Sequence, residues 1–263
     1  MAIQPAMQKI RFRTVRTVFA LMLREMATTY GRSPGGYLWA LLEPIAAITL
    51  LSIVFSIAFD NPPIGTNFAI FYASGYMSYM MYADITQKMG FAIGFSRPLL
   101  FYPSVTFVDA LFGRLILNTM THVIVFVIVV TGIVLFFDLN IIIDVPQILL
   151  AMALTMLLAC GVGTFNCYMI ERFPLWDRIW SILNKPLFII SGILFTFDSV
   201  PSPYDDLLWY NPLIHIIGIM RSGLFVTYDA NYTSVLYVFF LSMGLWATGM
   251  LLLRRFHRDL LNN

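Results

Sequence analysis

Long apolar runs with almost no charge constrain this chain more than any other feature of its sequence. The run at residues 179–197 is long enough to cross a bilayer, which takes about 20 apolar residues, and its one charge, Lys185, lies near its start. An average soluble domain has about 25% charged residues, whereas this chain has 11%. We therefore predict an all-α integral membrane protein with six transmembrane helices, at residues 37–59, 67–91, 112–137, 145–170, 179–197 and 231–253.

Between the fifth and sixth runs, the chain stays apolar but no longer has the pattern of a membrane span. Prolines interrupt it, and the apolar piece at residues 213–226 has the length of re-entrant or interfacial segments. Ionisable groups at such a place are unfavourable unless they are paired or hydrated. We therefore expect a broken re-entrant helical element at residues 198–228 that lines or closes a pathway. Its charged residues are assigned to an outer gate or partner contact, with mutual pairing as the alternative: Asp198, Asp205, Asp206 and Arg221.

The distribution of basic residues predicts how the chain is oriented. Six spans place both ends of the chain on one side of the membrane, and of the 16 Lys and Arg residues all but Arg221 fall on that side. By the positive-inside rule, both ends are predicted to be cytoplasmic. The broken element then faces outward.

The start of the chain is predicted to form an amphipathic interfacial helix at residues 9–30. Apolar side chains recur there at helical spacing, and basic side chains fall on another side. Such a helix lies on a membrane surface or packs on the protein itself, and the sequence leaves both open. The predicted organisation is a cytoplasmic N-terminus at residues 1–33, a transmembrane domain at residues 34–253 and a cytoplasmic tail at residues 254–263.

A stripe of phenols marks the second predicted span as a candidate cargo path. Aromatic rings pack on the C–H faces of sugars while their hydroxyls form hydrogen bonds, so the stripe suits a glycan, although a seam between helices fits equally well. Two ionisable residues in apolar runs, Glu43 and Lys185, are added to this path. For Glu43, hydrogen bonding at the helix start is the preferred alternative. The stripe consists of Tyr72, Tyr76, Tyr79 and Tyr82.

No motif in the sequence provides an energy source or a catalytic site. A P-loop contains Gly-Lys, but no glycine here is followed by lysine, and His-Glu-x-x-His does not occur either. Arg114, Asn118 and His122 share one face of the third predicted span, where we interpret the histidine as a core residue because nothing completes a metal site. We expect no catalytic residue, metal or cofactor on this chain. The net charge of +2 also gives no nucleic-acid footprint.

With these residues established, the chain resembles the type-2 permeases of ATP-binding-cassette exporters. Within that group it is most similar to the capsular polysaccharide export permeases of Gram-negative bacteria, in its N-terminal portion and small size. Thr28 and Thr29 depart from the family pattern, in which a basic residue is expected before Tyr30. The resemblance covers nearly the whole chain and is carried by Leu23-Arg-Glu25, Tyr30-Gly-Arg-Ser33, the stretch from Gly36 to Glu43-Pro44, Ser191-Gly-Ile-Leu-Phe195, and Tyr210-Asn-Pro-Leu-Ile-His215 with Arg221.

The resemblance implies a homodimer in the bacterial inner membrane, bound to two copies of a separate nucleotide-binding ATPase subunit that holds ATP and Mg. The implied cargo is an acidic polysaccharide, often on a lipid anchor, and the implied envelope partners are a periplasmic co-polymerase and an outer-membrane polysaccharide exporter. Export of another cargo, such as O-antigen, teichoic acid, a lipid or a drug, is the alternative, and a membrane lipid or sugar transferase is a less favoured one. Coupling to the ATPase is assigned to the surface helix and to a proline-bounded break at residues 96–103, through Arg24, Arg97, Phe101 and Tyr102.

Overall fold

The computed structural model describes residues 13–29, 35–102 and 105–262, and every regular element in these ranges is helical. Residues 9–12 and 30 of the predicted interfacial helix lie outside the described residues, as does Pro103 at the end of the predicted break. The helices are α1 (Arg13–Thr29), α2 (Gly36–Ala58), α3 (Phe68–Gly90), α4 (Ala92–Leu100), α5 (Phe107–Phe136), α6 (Val145–Arg172), α7 (Trp176–Ile190), α8 (Tyr204–Trp209), α9 (Pro212–Leu224) and α10 (Val235–Asn262), with a short 3-10 turn at Phe197–Ser199.

Four of the described helices are long and apolar enough to cross a membrane. They are α2, α5, α6 and the Val235–Phe256 part of α10. The protein is therefore an integral membrane protein. Helix α3 has 23 residues, enough for a crossing by length, but it carries polar side chains and is mostly buried within the protein.

The run at residues 179–197 is not a single helix. Helix α7 has 15 residues and ends at Ile190, and the chain then turns over residues 191–195. Gly192 adopts a φ of 76°, a left-handed conformation that glycine tolerates without strain. A run that is apolar enough for a span is thus divided between a helix and a turn.

The predicted break at residues 96–103 is largely helical. Helix α4 extends from Ala92 to Leu100, and Pro98 lies in its last turn, where its missing N–H removes one hydrogen bond of the helix, the one to the carbonyl of Gly94. Phe101 and Tyr102 follow the end of the helix and are exposed. The sequence marks proline as a breaker, but docking of α4 against α5 and α6 overrides that preference.

Helix α6 forms the centre of the bundle, and it packs most extensively against α10 and α3. The crossing with α10 is close, because a Cβ on Gly161 would collide with the backbone of Ser242, and a Cβ on Gly249 would collide with the backbone of Thr164 and Phe165. Small residues at such crossings let helix backbones approach in membrane proteins. The bundle has two ends: α1, α4 and the start of α5 lie at the α1 end, and α8 and the start of α10 lie at the α8 end.

Helix α1 packs on the protein, one of the two arrangements that the sequence left open, and also keeps apolar side chains exposed. Its side chains Leu21 and Glu25 are buried against the bundle, where α1 packs on α5. Val15, Phe19 and Leu23 on the same helix are more than half exposed. One side of α1 therefore docks on the protein, and another presents apolar side chains of the kind that enter a membrane surface.

Candidate functional site

The broken element at the α8 end contains the start of helix α9, which is capped by Asn211. Asn211 accepts a hydrogen bond from the backbone N–H of Leu213 at 3.0 Å, and Pro212 occupies the first turn, where its missing N–H is of no consequence. The side chain of Asn211 also donates to the carbonyl of Ile190 at 3.0 Å. Helix α9 has 13 residues and so is about 20 Å long, too short to cross a bilayer. The chain is broken into short helices here, and Asn211 joins the start of α9 to the end of α7.

Arg221 lies inside the protein, with only 1% of its surface exposed. Its two terminal nitrogens donate to the carbonyls of Phe195 at 2.8 Å and Ile193 at 3.1 Å, and its guanidinium lies 4.3 Å from the ring centroid of Phe71. These contacts tie α9 to the turn after α7 and to α3. Arg221 therefore does not lie at the surface that a partner contact requires, because its hydrogen bonds draw it into the bundle.

The three acidic residues assigned with Arg221 are placed differently. Asp198 and Asp206 are exposed and Asp205 is half-buried. Within the described ranges, none of them forms an ion pair with Arg221, so the predicted mutual pairing is not found there. Asp198 instead lies beside the hydroxyl of Tyr228, whose pKa is raised by burial. The acidic residues are available at the α8 end for contacts outside the chain.

His215 connects three helices at the same end of the bundle through hydrogen bonds. Its Nε2 lies 2.8 Å from the carbonyl of Trp209, and its Nδ1 accepts a hydrogen bond from the backbone N–H of Ser234 at 3.1 Å. With both nitrogens engaged in this way, the neutral imidazole carries its proton on Nε2. The ring also packs against Trp209 and Tyr237. His215 thus joins α8, α9 and the start of α10, a role the sequence did not indicate.

The structure divides the tyrosine stripe into two pairs. Tyr72 and Tyr82 are buried, with 1% and 3% of their surface exposed, and Tyr72 packs against Phe55. They correspond to the seam between helices that the sequence left open. Tyr76 and Tyr79 are partly exposed and face α7. Only this second pair is available to a cargo in the conformation described.

Tyr76 and Tyr79 belong to a surface shared with α2 and α7, which we call the α2–α3–α7 face. Tyr79 donates to the carbonyl of Asn184 at 2.8 Å, and its ring meets Phe188 edge-on at 5.2 Å. Glu43 is exposed on α2 and lies close enough to Tyr76 for its charge to act on the phenol. The face therefore combines phenol hydroxyls and aromatic rings with a carboxylate. Lys185, exposed on α7 and one turn from Phe188, adds an ammonium group.

The residues assigned to coupling lie together at the α1 end. Arg97 forms an ion pair with Glu171 of α6 at 3.2 Å, which fixes α4 to α6. Arg24 donates to the carbonyl of Phe95 in α4 at 3.2 Å, so α1 and α4 are in contact. Phe101 and Tyr102 are 65% and 62% exposed directly after α4. Exposed aromatic side chains of this kind are typical of protein–protein interfaces.

A group of buried and partly buried polar side chains beside these residues was not predicted as a site. It joins three helices at the α1 end, α1, α3 and α5. The four-residue spacing within α5 and within α3 was visible in the sequence, but its partner in α1 was not. The members are Glu25, Asp84, Lys88, Arg114, Asn118 and His122.

Comparison with known proteins places this architecture among transporters. Residues 16–225 match the family model of the ABC-2 type transporters. The chain is 29% identical to the polysialic acid transport protein KpsM of Escherichia coli over 238 residues, which cover 90% of this chain and 92% of that protein. It is 25% identical to the capsule polysaccharide export inner-membrane protein BexB of Haemophilus influenzae over 245 residues, 93% of this chain and 92% of that protein. The similarity extends over nearly the full length of both chains.

Proposed function

The chain belongs to the ABC-2 type transporter family, and from this premise we propose that it is the membrane subunit of an ATP-driven exporter of acidic capsular polysaccharide. The cargo, on a lipid anchor, is moved from the cytoplasm across the bacterial inner membrane. One observation carries this proposal. Relatives named for polysialic acid transport and for capsule polysaccharide export at the inner membrane align with at least 90% of this chain.

Energy for export comes from a separate subunit in this proposal. The sequence has no P-loop, so ATP and Mg bind to a cytoplasmic ATPase, two copies of which meet a homodimer of this chain. Phe101 and Tyr102, exposed after α4, are the contact proposed for the ATPase, and Arg24 and Arg97 hold α4 in place. The chain itself acts as a permease and not as an enzyme.

The proposed topology has six spans with both ends in the cytoplasm. The four apolar helices supply four of them. Of the two remaining spans, helix α3 supplies one from within the bundle, and α7 with its following turn supplies the other. The α8 end then faces outward, where Asp198, Asp205 and Asp206 are the residues proposed to meet a periplasmic co-polymerase and an outer-membrane exporter.

The cargo path is proposed to lie between two copies of the α2–α3–α7 face. Helix α2 has few buried residues and α7 has none, so a single chain leaves both helices uncovered. Tyr76 and Tyr79 can hydrogen-bond to sugar hydroxyls and pack on sugar rings. Lys185 attracts the acidic groups of the polymer, whereas Glu43 repels them. Weak contacts at several points suit a path that a long polymer must also leave.

Depletion of this chain in its host tests the proposed function. We expect acidic polysaccharide to accumulate inside the cytoplasmic membrane and to disappear from the cell surface, as seen by microscopy and by fractionation. Re-expression of the chain should restore surface polymer. Normal surface polysaccharide in depleted cells would contradict capsule export, and the accumulated material would then identify O-antigen, teichoic acid or another cargo.

A further inference from the structure

Buried and partly buried polar side chains at the α1 end form a continuous path from α1 to α3. Glu25 of α1 lies 3.4 Å from the guanidinium of Arg114 in α5 and accepts a hydrogen bond from the amide of Asn118 at 3.3 Å. The amide oxygen of Asn118 accepts from Lys88 of α3 at 2.7 Å. Lys88 pairs with Asp84 at 2.8 Å, and Asp84 lies 2.8 Å from Nε2 of His122. We call this path the cross-helix chain.

The composition of the cross-helix chain suits a position mostly shielded from solvent. It contains two acidic side chains, Glu25 and Asp84, and two basic ones, Lys88 and Arg114, so the formal charges of these four residues cancel. Buried charges in membrane proteins are tolerated when they pair with one another. Removing one member leaves its partner uncompensated in the protein interior.

Helix α1 is held on the bundle by this path together with apolar packing. Among the described side chains of α1, only Leu21 and Glu25 are buried. Leu21 supplies apolar contact and Glu25 supplies hydrogen bonds, so both fix where α1 sits on the bundle. A second contact joins α1 to α4, because the guanidinium groups of Arg24 and Arg114 lie 4.9 Å and 4.2 Å from the ring centroid of Phe95.

The other end of the path leads toward the proposed cargo face. Asp84 lies five residues after Tyr79 in α3, about 8 Å along the helix axis. Helix α3 runs without a proline from Phe68 to Gly90 and is buried over most of its length. A displacement applied at Lys88 and Asp84 therefore reaches Tyr79 through one continuous helix.

From these contacts we propose that the cross-helix chain makes α1, α4 and α3 move as one body, so that Glu25, Arg114 and Asn118 are positioning residues that pass movement of α1 and α4 to the cargo face. The inference rests on the proposed function, in which an ATPase acts on α1 and α4. It assigns coupling to buried residues that never touch the ATPase or the cargo.

Distance measurements on the complex of this chain with its ATPase test the proposal. Spin labels are placed at the exposed positions Ala20 of α1, Gln87 of α3 and Ile182 of α7. On ATP binding, we expect the Ala20–Gln87 distance to stay constant and the Ala20–Ile182 distance to change. A constant Ala20–Ile182 distance, or a wild-type Ala20–Gln87 distance that changes with ATP, would overturn the proposal.

The paired substitution Glu25→Met with Arg114→Met separates coupling from folding. Replacing a buried ion pair by apolar side chains of similar size is often neutral for stability, so we expect an assembled complex that hydrolyses ATP. Its Ala20–Gln87 distance should now change with ATP, and surface polysaccharide should fall by roughly two- to thirtyfold, the range of coupling residues remote from both sites. Asn118→Leu, which breaks the junction without altering charge, should act in the same direction.

A matched control is Arg16→Gln, which removes an exposed charge from the same helix. It should leave both distances and export as in the wild type. Full export by the double Met variant with an unchanged Ala20–Gln87 distance would show that the cross-helix chain only supports folding. The distances do not depend on cargo, so they decide this inference even if surface polysaccharide proves independent of the protein.

Discussion

The two ends of the bundle stabilise their charged side chains in different ways. At the α1 end, Glu25 and Asp84 pair with Arg114 and Lys88 through side chains from three helices. At the α8 end, Arg221 donates to backbone carbonyls and, within the described part of the chain, has no carboxylate partner. The side-chain pairs at the α1 end join separate helices to one another, whereas the carbonyls of a turn hold Arg221 within one end of the bundle. The α1 end is therefore suited to move as one body, and the α8 end to remain rigid.

The largest expected effect is at the rigid end. Arg221→Met should lower the free energy of unfolding by about 4 kcal/mol, because two buried carbonyls lose their donors and Phe71 loses its cation. Unfolding of the purified chain in detergent measures this. Asp206→Asn, at an exposed position of the same end, should change stability by no more than about 0.5 kcal/mol. Equal effects of the two substitutions would remove the contrast between the ends.

The next effect tests the pairing at the α1 end. Glu25→Met alone should destabilise the chain by about 3 kcal/mol, because Arg114 is left buried without its partner. Adding Arg114→Met should recover most of that stability. The same unfolding assay on both single variants and the double variant gives the coupling free energy, and strictly additive losses would contradict a paired site.

A smaller effect on stability is expected for the tyrosines of α3, where one residue from each pair is replaced by Phe. Tyr79→Phe removes the hydrogen bond to Asn184 and should cost about 1 kcal/mol of stability. It should also lower surface polysaccharide, because the hydroxyl lies on the cargo face. Tyr82→Phe is the matched control. Because the ring of Tyr82 is buried, this substitution should leave export unchanged. If Tyr82→Phe lowered export more than Tyr79→Phe, the assignment of the path to the exposed pair would be wrong.

The smallest effect on stability is expected for the coupling surface. The ion pair of Arg97 with Glu171 is partly exposed, so Arg97→Ala should cost less than about 1 kcal/mol. Export should nevertheless fall while dimer assembly is retained, because α4 loses its ion pair with α6. Co-purification with the ATPase and surface polysaccharide are the measurements. Unaltered export would remove Arg97 from the coupling surface.

The first residues of two helices show how well local sequence predicts where a helix begins. The second span was predicted from residue 67 and begins at Phe68, where Asn67 accepts hydrogen bonds from Ala69 and Ile70. The third was predicted from residue 112 but α5 begins at Phe107, with a capping box between Thr106 and Asp109. An apolar criterion excludes the charged Asp109 and so starts the helix too late, although the capping residues are in the sequence.

The tyrosine stripe shows where local pattern fails. At 3.6 residues per turn, Tyr82 is rotated by roughly 80° from Tyr72, which turns it away from α7 and into the core. Tyr72 lies on the stripe itself but is covered by Phe55 of α2 and Phe68. Periodicity places side chains on a helix face. It does not say which neighbouring helix covers that face.

Sequence alone determined the helical class, the membrane location, the broken element near Asn211 and the family, because apolar runs, prolines and capping residues act through local hydrogen bonds and hydrophobicity. Only the tertiary structure decided that Glu25 and Arg221 are buried and that Tyr76 and Tyr79 share a face with Glu43. These placements depend on contacts between helices far apart in the chain, such as the 93 residues that separate Glu25 from Asn118. Burial of a charge is favourable only once such a distant partner is in place.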